Sequence, residues 1–356
     1  MTTPHHRHAI VPGYLLVRLA QSFAYPKAAR AARHTLIQGR PPFRARIDLS
    51  IDGDGNLVAQ LSDAPDRTVH DAEHTERLPG VVVRREDDAP VADTAVNEAF
   101  DGLGATFELF LGAFGRNSID GAGSPLLATV HYGVDYDNAF WDGERMVFGD
   151  GDGEVFLGFT GSLSVIGHEL AHGVIQTASG LEYQGQSGAL NESLADVFGA
   201  LTEQYQQGQT ADEASWLIGA GIFTPAVQGR ALRSMAEPGT AYDDDELGID
   251  PQPAHMRDYV DTVEDNGGVH INSGIPNRAF VLVARALGGP AWERAGRIWY
   301  RALTGLPADA DFAGFARATA AAASAQYGEG SAEVLAVQDA WRTVGVIEDG
   351  RAGADG

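Results

Sequence analysis

The chain has 356 residues, enough for two domains with sizeable cores, and its 44% hydrophobic content is ordinary for a globular protein. Its 49 acidic against 25 basic side chains give a formal net charge of -24, which argues against a nucleic-acid partner because phosphates would be repelled. The absence of cysteine excludes disulfides, a cysteine nucleophile and thiolate zinc fingers.

The N-terminal region differs in charge from the rest of the chain. A short apolar stretch, Val11-Pro12-Gly13-Tyr14-Leu15-Leu16, precedes a concentration of basic residues in an otherwise acidic protein: Lys27, Arg30, Arg33, Arg40, Arg44 and Arg46. This asymmetry indicates a separate segment. The apolar patch is broken by Pro12 and Arg18, so it does not predict a signal peptide, and no run approaches the length of a membrane span. We therefore expect a cytoplasmic protein or export by a non-standard route.

A histidine cluster precedes this stretch. His5, His6 and His8 could bind a metal adventitiously, but we interpret them as part of a flexible, tag-like terminus.

The next part of the chain carries strand and turn patterns. Apolar and polar residues alternate on both sides of Asp52-Gly53-Asp54-Gly55-Asn56, which predicts a β-hairpin. After a polar stretch, apolar residues at helical spacing predict a helix over 94–114, and strand-like segments follow at 126–132 and 146–148. We interpret the glycine-rich turn at 149–153 as a tight turn, because it lacks the spacing of an EF-hand calcium loop.

Two apolar runs carry residues of the kind that bind metals. His168, Glu169 and His172 form the pattern His-Glu-x-x-His, and a helix would place both imidazoles on one face. The same pattern arises by chance in solvated helices. The second run, however, carries Glu192 and Asp196 on one helical face. Two histidines and one glutamate leave a tetrahedral zinc with a position for water, and Asp196 suits the role of accepting a ligand histidine's other N–H.

These residues resemble the motifs of thermolysin-type neutral metallopeptidases, whose zinc site uses two histidines and one glutamate. The spacing from His172 to Glu192 matches that family, as do Gly188-Ala189-Leu190-Asn191-Glu192 and the block 265–274. The N-terminal stretch is similar to the short propeptide of the protealysin-like branch, with Gly13 where a second proline is expected.

The resemblance implies an α+β, two-domain fold with the active-site cleft between the domains. A β-rich N-terminal domain would span residues 47–180 and an α-helical domain residues 181–348, consistent with alanine-rich helical runs in the second half. Residues 1–46 would be a propeptide that covers the cleft and is cut between Arg40 and Arg46, and residues 349–356 a tail. An ordinary helical N-terminal extension is the alternative for residues 1–46.

The resemblance also assigns the metal site. His168, His172 and Glu192 would bind Zn²⁺, and Asn191 and Asp196 would support these ligands from behind.

The catalytic roles are implied in the same way. Glu169 would take a proton from the attacking water and pass it to the leaving amine. Tyr183 and His270 would donate hydrogen bonds to the tetrahedral oxyanion, and Asp265 would orient and charge the His270 imidazole.

Further matches imply how a peptide would bind. The Asn138 side chain and the Ala139 carbonyl would hold the residues flanking the scissile bond, and Arg233 would contact the carbonyl on the leaving-group side. A pocket that favours a hydrophobic residue just after the scissile bond would be lined by Phe156, Val165 and Leu232.

The match to the family is weaker at the positions of its calcium ligands. Glu203 matches one carboxylate of the family's double calcium site, whereas Ser164, Leu217 and Ala220 stand where acids are expected. Hard cations need several oxygen ligands, so a full double site is not predicted, and one calcium ion stays open.

The sequence therefore predicts a monomeric zinc endopeptidase that acts on peptides or proteins and is made as an inactive precursor. Two alternatives stay open. One is a catalytically silent zinc-binding interaction protein or a permanently autoinhibited precursor, and the other is a zinc hydrolase acting on a non-peptide amide. Secretion, common among thermolysin relatives, is the alternative to a cytoplasmic location.

Overall fold

The structure is a computed structural model that describes residues 8–37, 50–51, 57–58 and 64–348. The N-terminal segment contains two helices, α1 (Gly13–Leu19) and α2 (Pro26–Ile37). Two short strands, β1 (Ser50–Ile51) and β2 (Leu57–Val58), pair antiparallel and confirm the predicted hairpin pairing. The predicted turn at 52–56 lies outside the described residues.

A mixed five-stranded sheet forms the first domain. Its strands are β3 (Arg67–Asp71), β4 (Val81–Arg85), β5 (Leu126–Val130), β6 (Ala139–Trp141) and β7 (Met146–Phe148). Their order is β4-β3-β5-β7-β6, with β3, β5 and β7 parallel and β4 and β6 antiparallel at the two edges. Strand β6 is therefore an edge strand of this sheet, a position that can pair with an extended peptide.

Strands β3 and β4 lie within the stretch that the sequence led us to interpret as polar. The arginine, threonine, histidine and aspartate residues of β3 mask the strand pattern, whereas β4 begins with three valines, which favour a strand. Val69 and His70 in β3 are nevertheless buried, because β3 is flanked by strands on both sides. The sequence analysis expected a β-rich domain here but did not locate these two strands.

The predicted helix over 94–114 is present as α3 (Thr94–Phe114). Asp93 caps its first turn by accepting a hydrogen bond from the Val96 amide, and Gly115 ends it in the left-handed conformation. Together with the sheet, α3 packs against the two helices that carry the metal-binding motifs, α4 (Leu163–Ala178) and α5 (Gly185–Gln207).

Two glycines let α4 and α5 approach closely. A Cβ atom added at Gly199 on α5 would lie 2.4 Å from the Ser164 carbonyl oxygen, and one added at Gly167 on α4 would lie 3.0 Å from the Gly199 Cα. These residues lower helix propensity, and their function is to permit this contact. The close approach brings Glu192 of α5 beside the histidines of α4.

The second domain begins with irregular chain and ends in helices. Between α5 and the later helices lie four two-residue strands: β8 (Leu217–Ile218), β9 (Arg233–Ser234), β10 (Asp243–Asp244) and β11 (Gly248–Ile249). Five helices follow: α6 (Asp265–Asn272), α7 (Gly274–Leu287), α8 (Ala295–Leu303), α9 (Phe312–Tyr327) and α10 (Ala332–Thr343). Within the span 181–348, which the resemblance led us to expect as α-helical, the chain over 208–264 is mostly irregular, because many glycines, prolines and aspartates disfavour helix.

Within the described part of the chain, every helix falls short of the length and apolar character that a membrane span requires.

His131, which follows β5, joins three parts of the first domain through its two ring nitrogens. Its Nδ1 lies 2.9 Å from Asp150 Oδ1, and its Nε2 lies 3.0 Å from Asp93 Oδ2 at the start of α3. Asp150 also lies 3.3 Å from His74 Nδ1. The hydrogen bond and charge of Asp150, reinforced by Asp93, outweigh burial and raise the pKa of His131 from 6.5 to about 9.

We expect His131→Gln to destabilise the fold in a pH-dependent way. Because the folded-state pKa is raised, the stabilisation is fully present below about pH 6.5 and is lost as the pH rises through about 9. The deficit in unfolding free energy should be about 2 kcal/mol at low pH, allowing for screening at the partly exposed Asp93. Urea titrations across this range would measure it. The exposed His34→Gln is the control, and a deficit that does not change with pH would contradict the assignment.

Candidate active site

The three predicted metal ligands meet at the contact between α4 and α5. His168 Nε2 lies 3.0 Å from His172 Nε2, and each of these nitrogens lies 3.5 Å from a Glu192 carboxylate oxygen. Tetrahedral zinc with bonds of about 2.0–2.2 Å has donors roughly 3.3–3.6 Å apart, a range that the two imidazole–carboxylate distances match and that the 3.0 Å between the imidazoles falls slightly below. All three side chains are buried, and Glu192 Oε2 has no hydrogen-bond partner among the described residues. A buried, unsatisfied carboxylate oxygen beside two imidazoles is the donor set that suits a zinc ion.

The outer ring nitrogens of both histidines form hydrogen bonds to residues of α5. His168 Nδ1 donates to Asp196 Oδ1 at 2.8 Å, and His172 Nδ1 donates to Asn191 Oδ1 at 2.8 Å. These bonds leave each Nε2 lone pair facing the shared centre. Burial, followed by the neighbouring His8 and His168, lowers the pKa of His172, which keeps the imidazole in its neutral, metal-binding form.

Asp196 also holds a second set of partners that the sequence did not reveal. Arg233 donates through Nε and one terminal nitrogen to its two oxygens at 2.9 and 2.8 Å, and Asn277 Nδ2 donates at 2.8 Å. Burial opposes ionisation of Asp196, but the charge of Arg233 outweighs it and lowers the Asp196 pKa. Asn277 was missed; its only sequence signal is a polar residue within the otherwise apolar part of α7.

Glu169 follows His168 on α4 and is fully buried. It is a separate carboxylate from Glu192, which supplies the oxygens near both histidines.

Tyr183 and His270 converge on the same centre from the second domain. The Tyr183 hydroxyl donates to Glu192 Oε1 and lies 3.3 Å from His270 Nε2. Asp265 accepts hydrogen bonds from the His270 backbone amide at 2.8 Å and from Nδ1 at 2.6 Å. Burial opposes the charged form, but Asp265 and then Glu192 outweigh it and raise the pKa of His270 to about 9.

The loop before His270 needs an unusual backbone. Asp265, Asn266, Gly267 and Gly268 all have positive φ, from 51° to 84°. The two glycines tolerate this conformation without strain, and asparagine and aspartate adopt it more readily than most residues. This turn places the Asp265 carboxylate against the imidazole it orients.

The N-terminal segment occupies the cleft beside these groups. Ala9 forms a β-bridge with Phe140 of the edge strand β6, and the Ile10 amide donates to the Ala139 carbonyl at 3.1 Å. The Asn138 side chain accepts from the Val11 amide at 2.9 Å and donates to the Val11 carbonyl at 3.1 Å. The segment therefore binds the edge strand through its main chain, as an extended peptide does.

Two further groups of the site contact carbonyls of this segment. His270 Nε2 donates to the Ala9 carbonyl at 3.0 Å, and Arg233 donates to the Ile10 carbonyl at 3.0 Å.

His8 is not part of a free terminus, so our interpretation of the histidine cluster was wrong for this residue. Its ring lies 4.4 Å from that of His172 and 4.3 Å from that of Tyr183, measured between centroids. It comes within 4.8 Å of ligand atoms of His172 and Glu192. His5 and His6 lie outside the described residues.

The predicted pocket residues Phe156, Val165 and Leu232 are buried in one apolar cluster, which also contains Ile10. At the predicted calcium positions, Ser164 Oγ accepts a hydrogen bond from the Gly219 amide at 3.1 Å, and burial raises the pKa of Glu203.

A buried donor set of two histidines and a glutamate lies between a β-rich domain and a helical domain, and a peptide-like strand lies beside it. These features define a two-domain metallopeptidase. The family model described as thermolysin metallopeptidase, catalytic domain, matches residues 48–176. The one described as thermolysin metallopeptidase, alpha-helical domain, matches residues 179–346. The chain belongs to the thermolysin family of metallopeptidases and is a zinc-dependent metalloendopeptidase.

Individual relatives agree with this membership. The chain is 56% identical over 282 residues to an extracellular metalloprotease of Pectobacterium carotovorum, covering 79% of this chain and 81% of that protein. It is 40% identical over 262 residues to a thermolysin of Alicyclobacillus acidocaldarius, covering 71% of this chain and 46% of that protein.

A solved structure is similar over almost the whole chain. It is the precursor of protealysin, a metalloproteinase from Serratia proteamaculans, with a TM-score of 0.86 and 50% identity, covering 95% of this chain and 99% of that one. The expected two-domain α+β fold is confirmed.

Proposed function

We propose that residues 1–46 are an inhibitory propeptide and that residues 8–11 fill the substrate cleft of the endopeptidase until this segment is removed. The observation that supports this most directly is the set of hydrogen bonds made by the main chain of residues 9–11. Its amides donate to Ala139 and Asn138. Its carbonyls accept from His270 and Arg233. A peptide substrate needs the same main-chain partners. A substrate and the segment therefore cannot bind at the same time.

We assign the metal to His168, His172 and Glu192. Zinc bound there would act as a Lewis acid that activates water and polarises the substrate carbonyl.

The remaining chemistry belongs to side chains of this chain. Glu169, buried next to His168, takes the proton from the attacking water and passes it to the leaving nitrogen. His270 and Tyr183 donate hydrogen bonds to the carbonyl oxygen as negative charge develops on it. Asp265 is a positioning residue, because it orients the His270 imidazole and supports its charge.

Arg233 and the apolar pocket determine which residue follows the scissile bond. Arg233 binds the carbonyl of that residue, and Asp196 fixes the guanidinium through two hydrogen bonds. Phe156, Val165 and Leu232 supply an apolar environment for its side chain. We therefore propose a preference for a hydrophobic residue on the leaving-group side.

The body of the segment docks through complementary charge. The amides of Lys27 and Ala28, at the start of α2, donate to Glu154 Oε2 at 2.7 and 2.9 Å. Lys27 Nζ lies 3.1 Å from Asp135 Oδ1. A carboxylate at a helix N-terminus and an ion pair favour binding of this basic segment to the acidic enzyme.

The finer assignments follow the sequence predictions. We propose that the two domains span residues 47–180 and 181–348 and that residues 349–356 form a tail. We propose that the enzyme is a monomer and binds at most one calcium ion. The proposed cleavage between Arg40 and Arg46 lies outside the described residues. Relatives include proteins named as extracellular metalloproteases, and we propose secretion on that basis.

The experiment uses the purified full-length chain with zinc and two peptides that differ only after the target bond, leucine in one and aspartate in the other. We expect at least about tenfold faster cleavage of the leucine peptide. A zinc chelator should abolish cleavage, and added zinc should restore it. N-terminal sequencing of the active form should show a start beyond residue 37.

Full activity from a chain that still begins at Met1 would contradict inhibition by the segment. Turnover of non-peptide amides without any peptide cleavage would contradict the peptidase assignment.

A further inference from the structure

We infer that the peptide bond between Ala9 and Ile10 occupies the position of a scissile bond and that the enzyme hydrolyses it, so that Ile10 becomes a new N-terminus. This inference rests on the proposed function, because it uses the roles assigned there to the groups of the cleft. It adds a processing site inside the inhibitory segment, well before the cut at Arg40 to Arg46 that releases the segment.

The register follows from which carbonyl each group contacts. His270, an oxyanion donor, contacts the carbonyl of Ala9 at 3.0 Å. Arg233, which binds the carbonyl on the leaving-group side, contacts that of Ile10 at 3.0 Å. The bond that lies between these two carbonyls is the Ala9–Ile10 amide. Its N–H donates to Ala139 at 3.1 Å, which fixes the leaving nitrogen against the edge strand.

The side chains agree with this register. Ile10 is 0% exposed and packs in the main apolar core of the protein, so a buried hydrophobic side chain follows the bond. On the other side of the bond, His8 lies against the rings of His172 and Tyr183, at the metal centre. The chain therefore runs through the cleft in the direction of a substrate.

The two neighbouring registers are less favourable. If the Ile10–Val11 bond were cut, Pro12 would stand where Asn138 accepts a hydrogen bond from the Val11 amide, and proline has no N–H to donate. If the His8–Ala9 bond were cut, Ala9 would replace Ile10 in the apolar pocket. A one-residue shift along β6 would also turn the side chain of Ile10 away from the face it now occupies.

The reaction is a hydrolysis that consumes one water. The C–N bond of the Ala9–Ile10 amide breaks, oxygen from water adds to the Ala9 carbon, and a carboxylate forms there. Glu169 carries a proton from the water to the Ile10 nitrogen, which leaves as the α-ammonium group.

The cut does not by itself release the segment. Helix α1 is anchored by Leu15, Leu16 and Leu19, all 1% exposed or less, and α2 is held by Glu154. Residues 10–37 therefore stay in place and keep the leaving-group side filled. Only the short peptide ending at Ala9 departs.

The test follows the intact mass of the full-length, zinc-loaded chain over time, with sequencing of the new N-terminus. We expect a product that begins Ile10-Val11-Pro12 and that does not form in Glu169→Ala. Ile10→Asp should slow formation of the corresponding product at least about tenfold, because a charged side chain is disfavoured in an apolar pocket. Val17→Asp, the same kind of change at a 48% exposed position of α1, should leave the rate unchanged.

A readout without catalysis uses hydrogen exchange in Glu169→Ala, where the Ile10 and Val11 amides should exchange slowly because of their bonds to Ala139 and Asn138. In parallel, cleavage of an unrelated peptide is measured with the active form, from which the N-terminal segment has been removed. If that peptide is cut while the Ala9–Ile10 bond survives, the inference is overturned and the proposed function stands. If neither bond is cut, both fail. If Glu169→Ala also yields the Ile10 product, another protease makes it and the inference is overturned.

Discussion

Replacing Glu169 by alanine should abolish peptide hydrolysis while zinc stays bound. The side chain is fully buried beside His168, whereas the donor atoms near both histidines belong to Glu192. Loss of a general base lowers rates by about 10²–10⁴-fold. We expect a fall of that size in kcat/KM, measured with a leucine-containing peptide, together with an unchanged zinc content measured by elemental analysis.

The control for this change is Glu182→Ala, which removes an exposed glutamate from the same part of the chain. It should leave both activity and zinc content unchanged. Unaltered activity in Glu169→Ala would falsify the assigned role. Loss of zinc together with activity would instead make Glu169 a ligand.

Asp196→Ala should have the largest effect on stability, because one carboxylate supports three partners. It accepts hydrogen bonds from His168, from Asn277 and, through both oxygens, from Arg233. Removing it leaves a buried guanidinium without its counter-ion, which costs about 3–5 kcal/mol. Zinc affinity should fall by about 10–100-fold, because His168 loses the group that fixes its ring. Urea unfolding and competition with a chromogenic chelator would measure the two effects.

A second variant separates these effects. In Asp196→Ala with Arg233→Met, both charges of the ion pair are gone, so much of the unfolding free energy should return while zinc binding stays weak. Asp212→Ala, at an exposed position, is the surface control. If the double variant were as unstable as the single one, the unpaired arginine would not be the cause. If zinc affinity recovered with stability, the bond to His168 would not support the metal.

Local patterns were the parts of the fold that the sequence predicted well. Helix α3 begins and ends at the expected residues, and the His-Glu-x-x-His pattern lies on a helix, α4, because apolar spacing and the absence of proline are local properties of the sequence. Strand β3 was missed because its polar side chains hide the apolar alternation of a half-buried strand, and β4 was missed although its three valines favour a strand. The irregular chain at 208–264 was also missed, because a tendency toward helix in the surrounding runs was extended across glycines and prolines.

The residues of the site show the same difference between local features, which a sequence pattern can indicate, and long-range pairings, which it cannot. The facing imidazoles of His168 and His172 follow from one helix turn, and the family motifs identified Glu192, Tyr183 and His270. The pairing of Arg233 with Asp196 was not predicted, because the sequence contains many acids and does not specify which of them a buried arginine meets. The same limit applies to Asn277 on α7.

By itself, the sequence determined the zinc helix, the residue types of the metal centre and the basic character of the N-terminal segment, because these are properties of composition and short spacing. Only the tertiary structure decided where that segment lies. The contacts of Ala9 with His270 and of Val11 with Asn138 join residues 261 and 127 positions apart, and no local pattern sets such distances. The register of the segment along β6 also depends on the tertiary structure. Main-chain pairing with β6 and the burial of the Ile10 side chain together place Ile10, rather than a neighbouring residue, directly after the proposed scissile bond.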